Sequence, residues 1–337
     1  MKNDTTKKIQ LGVVGTGFVV PKFIDGAIRS GYFSLKAITS RKASRGEEFK
    51  KENGYPDDIK VFNTVEEMMA GSDVDVVYIA TPNSIHIQQT LSCLGQKKAL
   101  IVEKPIASNA KEVRQMVEAA RENNVLLMEG MKVLFCPNFQ ILAENISRVG
   151  KIHQCFATYS KRSSRYDSYL QGENPNTFNL SLSNGSIMDL GTYCVYPFVS
   201  LFGKPQSIKA AGSLLASGVD GGGVAILEYP DFPVTIQHSK VANTYNKTEI
   251  IGEKGTLAIN FISFISDIEF IHLDGTVEKL GVPQDKNPLL YISEHYGKLY
   301  TDGAKESPVN TFQLSIEVME VLDEIRSQTG VKFPADD

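Results

Sequence analysis

The chain has 337 residues, 42% hydrophobic and 22% charged, an ordinary globular composition in a length that exceeds one hydrophobic core. Two domains are expected, 1–127 and 128–337. A formal net charge of -4 excludes a broad basic footprint for nucleic acid or anionic membrane. No apolar run is long enough to cross a bilayer, and the polar start Met1–Thr6 lacks the apolar core of a signal peptide, which predicts a cytoplasmic protein.

Ile9–Val14 reads as a first strand, apolar enough to be buried on both faces. Gly15-Thr16-Gly17 breaks it, and a helix follows over Phe18–Ser30, with Pro21 in the first turn where a missing N–H costs little. Leu35–Thr39 is a strand, Arg45–Asn53 a helix and Val61-Phe62 a short strand. Thr64-x-x-Glu67 is a capping box opening a helix through Met69. A strand over Val74–Ala80 closes on Thr81-Pro82-Asn83, and Ser84–Gly95 is helical with a terminal glycine. Ala99–Val102 runs into Glu103-Lys104-Pro105, and Ser108 or Asn109 caps a helix to about Asn123. This alternation predicts an α/β fold beginning with a doubly wound parallel sheet.

The rhythm changes after a last strand at Val125–Met128. Pro137–Arg148 reads as a helix, Ile152–Lys161 as a strand with one solvated face, and Arg162–Asn184 as a long polar stretch of the kind that is functional or mobile. A helix over Ser186–Leu201 precedes strands at Ser207–Gly212, Gly223–Tyr229, Val234–Lys240, Thr248–Gly252 and Thr256–Asn260. Glu253-Lys254-Gly255 and Leu273–Thr276 mark hairpin turns, and helices over Leu289–Tyr300 and Thr311–Ser327 close the chain. The second domain is therefore a largely antiparallel open sheet with helices on one face. Cover for an apolar outer face predicts a homodimer or homotetramer.

Gly15-Thr16-Gly17-Phe18-Val19-Val20 is a dinucleotide fingerprint with Val20 at its third glycine position. The glycines let the turn form and let the backbone approach a pyrophosphate at the helix start; an ordinary tight turn is the alternative. At the end of the second strand, Thr39-Ser40-Arg41-Lys42 has no carboxylate for ribose hydroxyls. Ser40 and Arg41 favour a 2′-phosphate, hence NADP(H) over NAD(H), against a merely solvated basic turn. Lys104, at a strand end in an open α/β sheet, is placed to hold a substrate oxygen, or is a surface charge. Asp189 and Tyr193 are four apart on one helix face, a carboxylate and a phenol able to bind a hydroxyl and carry its proton. A dipole-favoured Asp and a core Tyr are the bland alternative. His86 approaches the cofactor or serves as a cap. Four cysteines and five histidines show no ligand spacing, so no metal is expected.

With Gly15-Thr16-Gly17, Ala80-Thr81-Pro82-Asn83, His86, Glu103-Lys104-Pro105 and Gly185–Tyr193 in place, nearly the whole chain resembles the Gfo/Idh/MocA oxidoreductases. The branch it most resembles contains the dimeric dihydrodiol (D-xylose) dehydrogenases and their bacterial relatives. The resemblance implies a Rossmann domain, then an α/β domain whose open sheet mediates oligomerisation. It implies that Tyr193 exchanges the proton, Lys104 polarises the substrate oxygen and Asp189 orients the substrate. Thr81, Pro82, Asn83, His86 and Glu103 would line the nicotinamide half of the cofactor. Where the mammalian-type enzymes carry Trp-x-Arg-Phe, this chain has Lys132-Val133-Leu134-Phe135. Its substrate is therefore not carried over, and Lys132 with Arg165 and Tyr166 from the long loop would build a different pocket. The expected activity is hydride transfer between nicotinamide and a sugar, polyol or cyclic diol. The alternatives are a silent NADP(H) sensor, or a redox-neutral sugar-modifying enzyme with tightly held cofactor.

Overall fold

The computed structural model describes residues 7–337, so the polar segment 1–6 lies outside the described residues. The first half alternates β1 (Ile9–Val14), α1 (Val20–Arg29), β2 (Phe33–Thr39), α2 (Ala43–Glu52), β3 (Lys60–Phe62), α3 (Val65–Gly71), β4 (Val76–Ile79), α4 (His86–Gly95), β5 (Ala99–Val102), α5 (Ala110–Asn123) and β6 (Leu127–Glu129). All neighbours in its sheet run parallel, in the order β3-β2-β1-β4-β5-β6. Every residue of β4 and β5 is buried, which is why their sequences are uninterruptedly apolar. Strand order reverses between β1 and β4, which opens a crevice beyond their carboxyl ends.

The second half contains α6 (Pro137–Asn145), β7 (Ile152–Ser160), α7 (Tyr166–Leu170), α8 (Thr192–Phe202), β8 (Ser207–Leu214), β9 (Asp220–Glu228), β10 (Pro233–Ser239), β11 (Thr248–Gly252), β12 (Gly255–Asn260), β13 (Asp267–His272) and β14 (Val277–Lys279), then α9 (Leu289–Thr301) and α10 (Phe312–Thr329). Its eight strands are ordered β14-β13-β12-β11-β7-β10-β9-β8, antiparallel except for β7 with β10. The α/β class and both sheet types are as expected. Leu227, Val234, Ile236, Ile250, Leu257 and Phe270 are buried on the inner face, where α8 packs on β7 and β10. The outer face mixes exposed Val224 and Ile226 with Lys209, Glu228 and Glu249, so it is less purely apolar than expected. The last two helices return to the first sheet's layer, α9 against α1 and α10 against α5. No helix among the described residues is long and apolar enough to cross a membrane.

Local departures from the expected elements have physical causes. The helix expected over Ser186–Leu201 starts as a π turn, Ile187–Gly191, before α8. The N–H groups of Ser186 and Ile187, which such a start leaves free, donate to the buried Asp220 carboxylate at 3.0 and 2.7 Å. At α3, Thr64 Oγ1 accepts the N–H of Glu67 at 3.1 Å, but the Glu67 carboxylate turns back to the N–H of Asn63, not of Thr64. After α4 the left-handed residue is Lys97, φ 57°, rather than Gly95. Segment 162–184 is not a featureless loop: it holds α7 and two 3-10 turns, Asn176–Phe178 and Leu180–Leu182, with Phe178 buried.

The end of β6 braces the corner after β5, where the Lys104–Pro105 bond is cis. Glu129, buried, accepts the N–H of Ile106 at 3.1 Å. Tyr196 Oη lies 2.7 Å from Glu129 Oε2 and 2.8 Å from Asn310 Oδ1. One phenolic proton cannot serve both acceptors, whereas a protonated Glu129 donates to Tyr196 and frees its hydroxyl for Asn310. Burial accordingly pushes the Glu129 carboxyl up to about 7, against the bonds from Tyr196 and Ser315. Because the folded value is raised, this group's stabilisation is full below the unfolded carboxyl range and is lost as pH rises through about 7. Glu129→Gln should match the wild type in urea denaturation at pH 4 and exceed it at pH 9, by up to about 3 kcal/mol. Equal midpoints at pH 9 would show that Glu129 ionises without cost.

Candidate active site

Backbone hydrogen bonds continue one residue past β1, β4, β5 and β6. Gly15 N–H meets Thr39 O, Ala80 N–H meets Val14 O and Glu103 N–H meets Ile79 O, each at 2.9 Å, and Gly130 N–H meets Val102 O at 2.7 Å. The sheet's carboxyl edge therefore presents Gly15, Ala80, Glu103 and Gly130 in one row, and a single cleft runs above it to the second sheet.

At the glycine end, Gly15 has φ 111°, and a Cβ there would stand 2.5 Å from Ala80 O. A Cβ on Gly17 meets nothing within 4 Å and points into open cleft. Val20 is fully buried, taking the helix–strand packing position of the missing third glycine. Val19, the N-cap of α1, has no side-chain cap; Val20 N–H is taken by Gly17 O at 3.0 Å and Pro21 has no N–H, so the donors open to an anion are those of the turn before the helix, Gly17, Phe18 and Val19. Thr16, Val19 and the exposed Phe18 line this mouth. Ser40 and Arg41 lie on the cleft wall after β2. Arg41 makes no side-chain hydrogen bond or ion pair among the described residues, whereas Arg45 is held by Glu48 and Glu52 at 2.7 and 3.1 Å.

Midway along the cleft, Thr81 and Pro82 form the wall and Asn83 bridges to the opposite side, its Nδ2 donating to Ser183 O at 2.8 Å. His86 is fully buried, with ring nitrogens 2.9 Å from Thr81 O and 3.1 Å from Pro105 O. It ties the Thr81 and Pro105 segments of the wall together while itself lining the cleft, and its side chain caps no helix N–H. Tyr78, stacked on Phe23 at 3.6 Å, donates its hydroxyl to Glu103 at 2.5 Å. Burial raises the Glu103 carboxyl, and the Tyr78 bond opposes it.

At the far end Lys104 Nζ donates to Asp189 Oδ1 at 2.6 Å and to Asp189 O at 2.9 Å. Lys240, just past β10, donates to the other carboxylate oxygen, Oδ2, at 2.7 Å and to Thr177 Oγ1. Burial alone would raise the Asp189 carboxyl, but the Lys104 and Lys240 ammonium groups outweigh it and hold it well below the usual carboxylate range. Burial would lower the Lys104 ammonium, yet Asp189 and the Tyr193 phenol raise it, so it stays charged. Two ammonium groups lie over the Tyr193 ring, Lys104 Nζ 4.8 Å and Lys132 Nζ 5.0 Å from its centroid, with Tyr159 edge-on at 5.7 Å.

Lys104, Asp189 and Tyr193 thus converge, and Lys132 joins them. Arg165 lies on the exposed cleft rim. Tyr166 does not line the cleft: its ring packs on Tyr169 and Phe178 under Arg162, because α7 turns that face toward the buried Phe178. Asp189, expected to bind a substrate hydroxyl, has a lysine on each oxygen. Lys240 and Tyr159 are the residues the sequence reading missed. Both sit in the buried register of their strands, Lys240 after Val234, Ile236 and His238, and Tyr159 after Cys155 and Ala157. A lysine continuing a buried alternation was the available signal.

Basic residues on the cleft walls outnumber acidic ones two to one, in a chain whose formal net charge is -4. This local field, the open space above Gly17, the uncapped α1 and the unpaired Arg41 fit a phosphate-bearing dinucleotide. The described residues hold no group of three His, Cys, Asp or Glu able to bind a metal.

Comparison with known proteins agrees with this geometry. Residues 9–131 match the oxidoreductase family with NAD-binding Rossmann fold, GFO_IDH_MocA, and residues 145–258 match the GFO/IDH/MocA C-terminal domain. The chain is 39% identical to the scyllo-inositol 2-dehydrogenase (NADP(+)) IolU of Bacillus subtilis, covering 97% of this chain and 99% of that protein. It is 42% identical to the uncharacterized oxidoreductase YgjR of Escherichia coli, at 97% and 98% coverage. To trans-1,2-dihydrobenzene-1,2-diol dehydrogenase of Mus musculus it is 29% identical, at 97% and 99% coverage. Among solved structures, the aldose-aldose oxidoreductase of Caulobacter crescentus shares the fold at TM-score 0.83 and 19% identity, over 96% of this chain and 97% of that one.

The two glycines separate packing from binding. Gly15→Ala should lower both thermal stability and dinucleotide affinity, because its Cβ collides with backbone. Gly17→Ala should leave the melting temperature unchanged yet weaken dinucleotide binding at least ~10-fold, since its methyl fills only the space needed for close backbone approach. Thermal melts beside fluorescence titrations with NADPH and NADH check both, and unchanged affinity in Gly17→Ala would remove the turn from the binding site.

Proposed function

The chain belongs to the Gfo/Idh/MocA oxidoreductase family, and from that membership we propose an NADP(H)-preferring dehydrogenase of polyols, sugars or cyclic diols. It is an enzyme of the class acting on CH–OH groups through an NAD(P)-binding Rossmann fold. In this reading residues 1–127 hold the dinucleotide and 128–337 the substrate. The observation that carries it is the meeting of Lys104 and Tyr193, ammonium 4.8 Å from the ring centroid, at the end of the cleft remote from the glycine turn.

The free N–H groups around Gly17, Phe18 and Val19 hold the pyrophosphate, with Gly15 and Thr16 shaping the turn. Ser40 and Arg41 receive the adenosine ribose and its 2′-phosphate. Thr81, Pro82, Asn83 and Glu103 line the nicotinamide half, with His86 setting the backbone of Thr81. Once bound, the nicotinamide supplies hydride exchange at its ring carbon. Lys104, kept charged by Asp189, donates a charge-assisted bond to the substrate oxygen. Tyr193 Oη takes the hydroxyl proton in oxidation and returns it in reduction. Lys132, with Arg165 at the rim, contacts the rest of the substrate. Support for NADP(H) comes from the unpaired Arg41 and from the relative named as NADP(+)-linked. Support for a polyol or diol comes from the names of the inositol and dihydrodiol dehydrogenases.

Lys104→Ala and Tyr193→Phe should each cut turnover ~100-fold or more while dinucleotide still binds; full turnover in both rejects the pair. NADPH should bind more tightly than NADH, and Arg41→Ala should close most of that gap. Binding without turnover across polyols, sugars and diols would favour the sensor reading instead. We also propose a homodimer or homotetramer through the outer face of the eight-stranded sheet. Val224→Asp with Ile226→Asp should then lower the sedimenting mass, and an unchanged mass places the contact elsewhere.

A further inference from the structure

We infer that Lys240 is a positioning residue of the reaction, occupying the second oxygen of Asp189 so that this carboxylate serves to hold Lys104 rather than to take a substrate proton. The inference rests on the reading of Lys104 and Tyr193 as the reacting pair.

Lys240 is 2% exposed, and an ammonium group is kept at such a site only when it is paired and hydrogen-bonded. Its partners are Asp189 Oδ2 at 2.7 Å and Thr177 Oγ1. Its backbone is also fixed: the N–H donates to Gly221 O at 2.8 Å, and the carbonyl accepts the N–H of Ser163 at 2.7 Å. One residue thus joins β9 and β10, the π turn that carries Asp189, and the 162–184 segment at both Ser163 and Thr177. Asp189 faces the cleft with 37% of its side chain exposed, yet neither oxygen is free of a lysine. A carboxylate held from one side only can turn about its side-chain bonds. Held from both, it fixes the direction in which Lys104 presents its remaining proton.

The charged and titratable groups facing Asp189 are Lys104 after β5, Lys240 after β10 and Tyr193 in α8, with Lys132 beyond the Tyr193 ring. Asp220 and His238 pack behind the same turn. Of these, Lys104 and Lys240 are the two cations that oppose burial of the carboxylate. With Lys240 removed, Asp189 binds a proton more readily, and as pH falls Lys104 keeps only Glu103, a carboxyl that burial raises, as an acidic neighbour.

The test compares Lys240→Met, Lys240→Gln and Lys240→Arg with Lys104→Ala, using NADP(H) and the best polyol found by screening. Lys240→Met should bind NADPH within ~3-fold of the wild type and keep KM within a similar factor. Its kcat should fall ~10- to 100-fold, with a new loss of kcat on the acid side of the pH profile. Lys240→Gln keeps a hydrogen-bond donor without charge, so it should show the same acid limb even if Lys240→Met does not fold. Lys240→Arg should restore the wild-type profile. Wild-type kcat with an unaltered pH profile in Lys240→Gln, or a fall in NADPH affinity equal to that in kcat, would overturn the role. If Lys104→Ala itself retains turnover, the reading of the reacting pair fails, whatever Lys240 does.

Discussion

A single carboxylate shared between two ammonium groups is the constraint on which the cleft depends. Asp189 brings together the carboxyl edge of the parallel sheet, through Lys104, and the inner face of the antiparallel sheet, through Lys240. Among the described residues neither lysine is ion-paired to another carboxylate, and in low dielectric an ammonium group without such a partner would lose its proton or its place. The attraction therefore does more than add stability. It makes the relative position of the two sheets a condition for keeping the cleft charged.

Around this contact the protein places buried polar groups that restrain backbone. Asp220, its carboxyl raised to about 6 by burial against the N–H bonds of Ile187 and Ser186, anchors the π turn. His238, driven down to about 3 by burial, stays neutral and bonds Ser186 at 2.9 Å. The three side chains Ser186, His238 and Asp220 have the residue types of a hydrolytic triad, but all are sealed from the cleft. They are better understood as the mount for Asp189. Glu129 and His86 do the same for the corner after β5, one from the neighbouring strand and one from α4. Fixed donors and charges of this kind need little reorganisation when charge develops on a substrate oxygen.

Much of this was legible in the sequence because local rules dominate the first half. Short apolar runs bounded by turn residues fit strands covered on both faces, and Gly15-Thr16-Gly17 sits where a strand turns into a helix. Lys104 was legible for the same reason, as a charge ending such a run. Lys240 was not, because its importance depends on Asp189, fifty-one positions away, and on a register that periodicity suggests but does not prove. Tyr166 was misplaced because a polar stretch says nothing about which side of a five-residue helix faces inward. The π turn was invisible because its cause, Asp220, lies on another strand.

The return of the last two helices to the first sheet bears on how the chain reaches its native state. Tyr296, buried in α9, directs its hydroxyl to Leu126 O at 3.4 Å, and Arg326 in α10 bonds Asp336 at 2.7 Å while Asn109 donates to Ala335 O at 2.8 Å. The layer that covers α1 and α5 is thus synthesised after the sheet beneath it. A nascent chain that has made all six parallel strands still exposes the apolar flanks on which α9 and α10 will dock. The polypeptide emerges from the ribosome in one order and closes in another, so the nucleotide-binding half completes its cover only after the segment to Asp336 is made. Contacts this distant in sequence carry a loop-closure cost, so the cover of the nucleotide-binding half is bound to the fate of a segment some two hundred residues downstream.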